Sequence, residues 1–181
     1  MNIIKKNLTV FCSSKQNLNP IYYSESINFI KKLNPNLYNI VYGGGTNGIM
    51  GSIRNGWKEI GGTVITSNIN KFVESDISDD YLFDNIIDRQ KKLVELGDGY
   101  IVLAGGYGTH YEALEVITKN DIGEALKPIF ILNTNGIFDN LISQIDLLVR
   151  EKFITKNFDK LNVFVEKNPN ELVKRINDFF K

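Results

Sequence analysis

Two glycine-rich stretches carry the residue types best suited to hold a phosphate, and each lies between an apolar run and an amphipathic one. The first reads Gly43-Gly-Gly-Thr-Asn-Gly-Ile-Met-Gly51, and the second reads Ala104-Gly-Gly-Tyr-Gly-Thr-His-Tyr-Glu112. Glycine lets the backbone turn with a positive φ and lets a ligand approach the chain closely. Free amide groups at the start of the following helix favour an anion. Two such loops in one sheet predict that a phosphate and its sugar are held between neighbouring strand ends.

The first loop also fits the dinucleotide pattern G-x-G-x-x-G at Gly43, Gly45 and Gly48. A nicotinamide dinucleotide site needs an acidic residue about 20 positions further on, near the end of the next strand. That position holds Thr66-Ser67-Asn68, which contains no acid. The match is therefore weak, and a tight strand-to-helix turn without a ligand remains an alternative for this loop.

Four polar residues in or near the second loop have ordinary structural explanations. Thr109 and Glu112 fit a capping box, with Thr109 as the N-cap of a helix and Glu112 at its third position. His110 is expected to point to solvent at the helix start. Arg89 lies on a charged stretch and, by spacing alone, is expected to be a solvated arginine. A helix cap, however, does not need the three glycines that precede Thr109.

The elements that must position these loops alternate between strand and helix. The predicted strands are Leu8–Cys12, Asn39–Tyr42, Thr63–Thr66, Tyr100–Leu103, Pro128–Leu132 and Asn162–Val165. The predicted helices are Ile21–Leu33, Ile49–Ile60, Asp84–Leu96, Phe138–Phe153 and Pro169–Phe180, with another that begins at Tyr111. This order predicts a single Rossmann-like domain over residues 1–181, an α/β fold. It is doubly wound, with a mostly parallel sheet of six or seven strands and helices on both faces.

In such folds the ligand binds beyond the carboxyl ends of the strands, at the point where the strand order reverses. The loops that follow strands are therefore where chemistry is expected. They are Ser13–Ser14, Gly43–Gly48, Asn68–Asp80 and Ala104–Glu112.

Composition narrows the function classes. The 181 residues include 21 Lys plus Arg and 21 Asp plus Glu, so the formal net charge is zero. That balance argues against a nucleic-acid polymer or an anionic membrane as partner. A single cysteine, Cys12, and a single histidine, His110, argue against a structural zinc site. The lone cysteine and the absence of a long apolar run or a secretory signal lead us to expect a cytoplasmic protein.

The paired motifs resemble the LOG family, the cytokinin-activating phosphoribohydrolases often mislabelled as lysine decarboxylases. The family has a triple-glycine loop running into Gly-Leu-Met-Gly, here Gly43 to Gly51, and Pro-Gly-Gly-x-Gly-Thr-x-x-Glu, here Ala104 to Glu112. The resemblance runs nearly end to end. This chain departs from the family pattern where Ala104 replaces proline, Gln90 replaces lysine and Tyr111 replaces the first of two glutamates. It also lacks the acidic residue expected near Lys71.

The resemblance implies a set of site residues. Arg89 and Glu112 would be the catalytic pair, and the phosphate would rest on the amides of the second loop. The residues implied to bind the substrate are Gly44, Gly45, Gln90, Gly105, Gly106, Tyr107, Gly108, Thr109 and Thr118. No metal or other cofactor is implied.

The implied reaction is hydrolysis of the N-glycosidic bond of a nucleoside 5′-monophosphate, a cytokinin ribotide or an AMP-like nucleotide, to free base and ribose 5-phosphate. A homodimer is also implied. The alternative is a non-catalytic nucleotide or molybdenum-cofactor binding or carrier protein, because related glycine-loop domains are similar to molybdenum-cofactor carriers. The sequence gives no support for lysine decarboxylation, since nothing marks a lysine for pyridoxal phosphate.

Overall fold

The computed structural model of the chain describes residues 4–73 and 79–181. Its strands are β1 Lys6–Phe11, β2 Tyr38–Tyr42, β3 Val64–Ile69, β4 Tyr81–Phe83, β5 Gly99–Val102, β6 Ile129–Leu132 and β7 Val163–Glu166. Its helices are α1 Pro20–Lys32, α2 Gly48–Glu59, α3 Ile86–Leu96, α4 Tyr107–Asp121, α5 Asp139–Arg150 and α6 Pro169–Phe179. Strand and helix alternate almost throughout, as predicted.

The strands of the described chain form one seven-stranded sheet in the order β4-β3-β2-β1-β5-β6-β7. Every pairing in it is parallel. The chain starts in the centre, builds outward through β2, β3 and β4, and then returns to place β5 on the other side of β1. This confirms the doubly wound α/β fold, with seven strands and no antiparallel member among the described residues.

Side chains alternate along the strands, so both faces of the sheet carry apolar groups. Helices cover each of these faces. On β1, Leu8 and Val10 join a core with α1, α2 and α6. Phe11, which points the other way, joins a second core with α3, α4 and α5. Trp57 is fully buried in the first core. No helix in the described ranges is long and apolar enough to cross a bilayer.

The structure corrects the prediction at two elements. Strand β4 was missed because it has only three residues and lies at the edge of the sheet, so it carries no readable periodicity. Helix α4 begins at Tyr107 rather than Tyr111. Gly108 is a poor helix former, so residue propensities do not predict a helix in that first turn.

Candidate active site

The strand order reverses between β1 and β5, so their carboxyl ends form the crevice where a ligand is expected. The two ends are joined by backbone hydrogen bonds: Leu103 N–H donates to the Phe11 carbonyl at 2.9 Å, and Ser13 N–H donates to the Ala104 carbonyl at 3.1 Å. The two glycine loops follow β2 and β5, so both lie at this edge of the sheet. The topology thus brings together the loops that the sequence singled out.

Much of the glycine in the first loop is required by the fold itself. Gly44 and Gly48 have φ of +82° and +61°, a conformation that disfavours a side chain. A Cβ added at Gly48 would overlap the Lys15 carbonyl, and one added at Gly51 would overlap the Thr46 carbonyl. The tight-turn explanation therefore accounts for these three glycines without a ligand.

Arg89 and Glu112 form a buried ion pair at the same edge. Arg89 Nη1 lies 2.7 Å from Glu112 Oε1, and the two side chains are only 11% and 8% exposed. Arg89 Nε also donates to the Ser67 carbonyl at 3.1 Å, so the guanidinium is held from two directions. A Cβ added at Gly43 would overlap Nη2, which explains why this loop position is glycine. The solvated-arginine explanation for Arg89 is therefore wrong.

Burial sets the electrostatics of the pair. It raises the pKa of Glu112 above its ordinary value of 4.5, while the Arg89 charge and hydrogen bond act in the opposite direction. The charge of Glu115, one turn further along α4, adds a smaller upward contribution. Cys12 is buried at the end of β1 near both charges, and burial also raises the pKa of its thiol, which stays neutral.

A cavity of about 350 Å³ opens beside the ion pair. Among the described residues, Arg89 contributes the charged group of its lining, and Met50, Ile69, Phe72 and Ile86 contribute apolar side chains. The other described lining residues are Ser14, Gly43, Gly45, Asn47 and Asn68. The described part of the wall therefore combines a guanidinium with apolar side chains, a surface suited to a flat ring with an anionic or hydrogen-bonding edge.

The second loop runs directly into α4, whose N-cap is Gly106 and supplies no side-chain cap. Thr109 lies inside the first turn, so the predicted capping box with Glu112 is wrong. The Thr109 side chain instead packs against Gly105, where an added Cβ would overlap it. The amide groups of the first turn have no partner within the helix, which makes this end of α4 suited to an anion.

Gly106 and Gly108 differ from the other loop glycines. No atom of the described residues lies within 4 Å of a Cβ added at either position, and neither has a positive φ. The fold therefore gives no reason for glycine there. An approaching ligand would provide one.

The structure separates several other predicted residues from this cavity. Gln90 is buried, but it lines a different cavity between α3 and α4. Thr118 is exposed on α4, where its hydroxyl donates to the Leu114 carbonyl at 2.7 Å. His110 is half-buried, with one side of its ring 5.5 Å from the ring of Phe138. Gly44 is not among the described residues that line the cavity, and a Cβ added there would overlap the side chains of Asp79 and Asn68.

Sequence reasoning missed the apolar walls of the cavity. Met50 belongs to the first glycine motif, but the sequence did not indicate in which direction its side chain points. Ile69 and Phe72 lie in the predicted loop from Asn68 to Asp80, of which residues 74–78 fall outside the described part of the chain. The position of these residues at or after the end of a strand was the sequence signal that could have identified them.

Comparison with known proteins identifies the family. A family model described as "Possible lysine decarboxylase" matches residues 47–176. The cytokinin riboside 5′-monophosphate phosphoribohydrolase LOG7 of Arabidopsis thaliana is 30% identical over 179 residues, which cover 96% of this chain and 82% of the relative. The chain belongs to the LOG family. The phosphoribohydrolase LOG of Oryza sativa subsp. japonica is also similar, at 28% identity over 96% of this chain and 74% of the relative.

Solved structures with the same fold include proteins with a different described role. The molybdenum cofactor binding protein from Rippkaea orientalis superposes with a TM-score of 0.70 at 20% identity, covering 98% of this chain and 99% of that one. The molybdenum cofactor carrier protein of Chlamydomonas reinhardtii gives 0.67 at 17% identity, with coverage of 98% and 99%. At these identities the likeness establishes the fold of this LOG-family chain alone.

Proposed function

We propose that the protein is a phosphoribohydrolase that cleaves the N-glycosidic bond of a nucleoside 5′-monophosphate, of the AMP or cytokinin-ribotide type, to free base and ribose 5-phosphate. The observation that carries the proposal is the buried Arg89–Glu112 pair beside a cavity at the carboxyl edge of the sheet. A protein that only binds a nucleotide has no need of a desolvated carboxylate with its own counter-ion. The LOG-family relatives described above supply the reaction class.

In the proposed reaction the C1′–N bond breaks, and the base leaves with the bonding electron pair. Positive charge develops on the ribose, and the Glu112 carboxylate stabilises it. Glu112 also accepts a proton from the water whose oxygen bonds to C1′, and this proton finally passes to the departing base, which restores the carboxylate. Arg89 holds this carboxylate in place, and its remaining N–H groups can bind an oxyanion or the departing base.

The phosphate would bind at the start of α4. Amides of Tyr107, Gly108 and Thr109 are free there by the geometry of a helix end, and the open positions Gly106 and Gly108 let the ligand approach. Binding the phosphate remote from the reacting bond would hold C1′ against Glu112. The cavity beside Arg89 would receive the nucleoside part, and no step needs a metal. Within the described residues, no group of three or more His, Cys, Asp or Glu side chains could hold a metal ion.

The phosphate assignment predicts the behaviour of Gly108→Ala. The added methyl meets no atom of the fold, and alanine favours a helix over glycine by up to about 1 kcal/mol. We therefore expect unchanged or increased thermal stability but weaker binding of AMP, while the affinity for adenosine stays the same. Titration calorimetry with the two ligands tests this. An equal loss for AMP and adenosine would contradict the phosphate assignment.

Gly43→Ala should disturb Arg89 without changing its identity. The new Cβ occupies the place of Nη2, so the guanidinium must shift and we expect turnover to fall by about 10-fold to 100-fold. Gly56→Ala on α2 is the matched control, because the nearest atom to its Cβ is Ile30 Cγ2 at 3.1 Å, outside the candidate site. Steady-state rates that are equal in the two variants would show that the position of Arg89 does not matter.

Activity should fall as the pH is lowered. This fall should occur at a higher pH than it would for a glutamate with an ordinary pKa. Turnover requires ionised Glu112, and burial raises the pKa of this group above 4.5. The acid limb of kcat/KM against pH is therefore expected above that value, and it should be absent from any residual activity of Glu112→Gln. A wild-type acid limb at or below 4.5 would contradict the burial argument.

We also propose that the protein is a homodimer. Apolar side chains remain exposed on α4 and just beyond it, at Leu114, Ile122 and Leu126. Exposed apolar groups that cluster on one surface favour a protein partner. Sedimentation equilibrium should give twice the chain mass of 20.6 kDa. A monomer at micromolar concentration would exclude the dimer.

The buried lone cysteine also supports our proposal of a reducing, cytoplasmic location.

The second candidate is a nucleotide or molybdenum-cofactor carrier without turnover. The departures from the family pattern at Gln90, Ala104 and Tyr111 favour it. Ribose 5-phosphate formation distinguishes the candidates. The phosphoribohydrolase should release it from AMP, whereas adenosine, which lacks the phosphate, should be cleaved poorly. A carrier would bind the nucleotide and release nothing.

A further inference from the structure

The side chain of His110 makes a hydrogen bond at the start of α4 that the proposed reaction does not use. Its ring atom Nδ1 lies 2.9 Å from the carbonyl oxygen of Gly106. The backbone N–H of His110 donates to the same oxygen at 3.0 Å. Because a carbonyl oxygen can only accept, Nδ1 must carry a proton, and the neutral ring then has its bare nitrogen at Nε2. The contact with Gly106 therefore fixes the tautomer of His110.

The ring of His110 is also anchored to the core. The centroids of the His110 and Phe138 rings are 5.5 Å apart, and Phe138 is fully buried. The Phe138 N–H donates to Asn133 Oδ1 at 2.8 Å, and Asn133 directly follows β6. Strand β6 pairs with β5, the strand that leads into the second glycine loop. His110 thus connects the start of α4 to the end of the neighbouring strand, which restricts the direction of its hydrogen bond to Gly106.

The carbonyl of Gly106 belongs to the peptide group that supplies the Tyr107 N–H. In a trans peptide the C=O and N–H groups lie in one plane and point in opposite directions. Holding the carbonyl toward α4 therefore directs the Tyr107 N–H out of the open end of the helix. The terminal backbone hydrogen bond of a helix frays, and glycine at positions 106 and 108 adds little restriction of its own. The side-chain bond from His110 is thus a second constraint on this peptide.

We propose that His110 is a positioning residue for a phosphate group at the start of α4, where its Nδ1–H holds the Gly106 carbonyl and so aims the amides of the first turn at the anion. The assignment rests on the proposed function, in which the phosphate of the substrate binds there. Amides that are already aligned need no ordering when the anion binds, so the affinity for the phosphate is higher. His110 acts through the backbone and does not itself touch the substrate.

The tautomer can be measured directly, because His110 is the sole histidine of the chain. The nitrogen chemical shifts of its neutral imidazole, recorded by NMR without any ligand, are expected to show a protonated Nδ1 and a bare Nε2. A protonated Nε2 with a bare Nδ1 would remove the hydrogen bond on which the proposal depends and would overturn it. This measurement needs no turnover and no nucleotide.

Binding measurements test the positioning role. His110→Leu keeps an apolar side chain against Phe138 but has no donor for Gly106, whereas His110→Asn supplies an amide donor near the place of Nδ1. The titrations are made by calorimetry in Glu112→Gln protein, which should not consume AMP. We expect His110→Leu to weaken the binding of AMP and of ribose 5-phosphate about threefold to tenfold, with adenosine unchanged, and His110→Asn to recover most of this loss. Thermal unfolding checks that each variant is folded.

Ser26→Ala is the matched control. The Ser26 hydroxyl makes the same type of hydrogen bond, to the Tyr22 carbonyl four residues earlier at 2.6 Å, but in α1 on the opposite face of the sheet. Its affinities for all three ligands should not change. Equal losses for AMP and adenosine in His110→Leu, or an unchanged affinity for AMP, would overturn the proposal. Failure of base release from AMP would count against the proposed function but would leave these binding results unaffected.

Discussion

Glu112→Gln should abolish turnover while leaving nucleotide binding nearly intact. The amide has the size of the carboxylate and retains an oxygen that can accept from Arg89. It cannot, however, accept a proton from water or stabilise positive charge on the ribose. General base and electrostatic contributions of this kind are worth about 10²-fold to 10⁴-fold in rate. Steady-state rates and calorimetric titration with AMP measure the two properties separately.

The matched control for this variant is Glu59→Gln. Glu59 is an exposed acid at the end of α2, on the opposite face of the sheet, and its side chain is 66% exposed. It should behave like the wild type in both measurements. If Glu112→Gln retains wild-type turnover, or if it loses AMP binding in proportion to turnover, the assignment of Glu112 to the chemical step is wrong.

Arg89→Ala should lose both turnover and stability, because it leaves a carboxylate buried without its counter-ion. Removing one partner of a buried pair costs about 3–5 kcal/mol in the free energy of unfolding. Loss of Arg89 also raises the pKa of Glu112 further, since the Arg89 charge acts to lower it. Urea denaturation measures the stability, and base release measures the turnover.

The pH dependence of this defect has a definite sign. When folding raises the pKa of a carboxyl group, ionisation of that group opposes folding. The free energy of unfolding therefore falls as the pH rises from the pKa of the unfolded state to the pKa of the folded state. The loss of unfolding free energy in Arg89→Ala should therefore be smaller near about pH 5 than near about pH 8. The double variant Arg89→Ala/Glu112→Gln should recover stability without recovering turnover. A single variant as stable as the wild type at both pH values would show that the pair is not desolvated.

Helical and strand periodicity accounts for most of what the sequence could predict. Alternation of short apolar runs with amphipathic ones was enough for the doubly wound sheet and for its functional edge. It could not reveal β4, whose three residues lie at the edge of the sheet and are partly exposed. It also placed the start of α4 four residues late, because Gly108 is a poor helix former that a first turn nevertheless tolerates.

The candidate site depended on contacts between residues distant in sequence. Arg89 and Glu112 are 23 positions apart on different helices, and residue types alone favoured a solvated arginine. Only the family resemblance raised Arg89 to a candidate, and only the folded chain brings it within 2.7 Å of Glu112. The burial of Gln90, which is only 2% exposed, also had no sequence signal, because burial is a property of the packed structure.

The most direct test of the central claim is a chromatographic time course with purified protein and an excess of nucleotide. AMP and N6-isopentenyladenosine monophosphate would be supplied in parallel, and free base and ribose 5-phosphate would both be quantified. The proposed function predicts equal amounts of the two products, continuing to accumulate after the base exceeds the protein in molar terms. Nucleotide that stays intact while remaining bound to the protein would contradict catalysis and would identify a carrier.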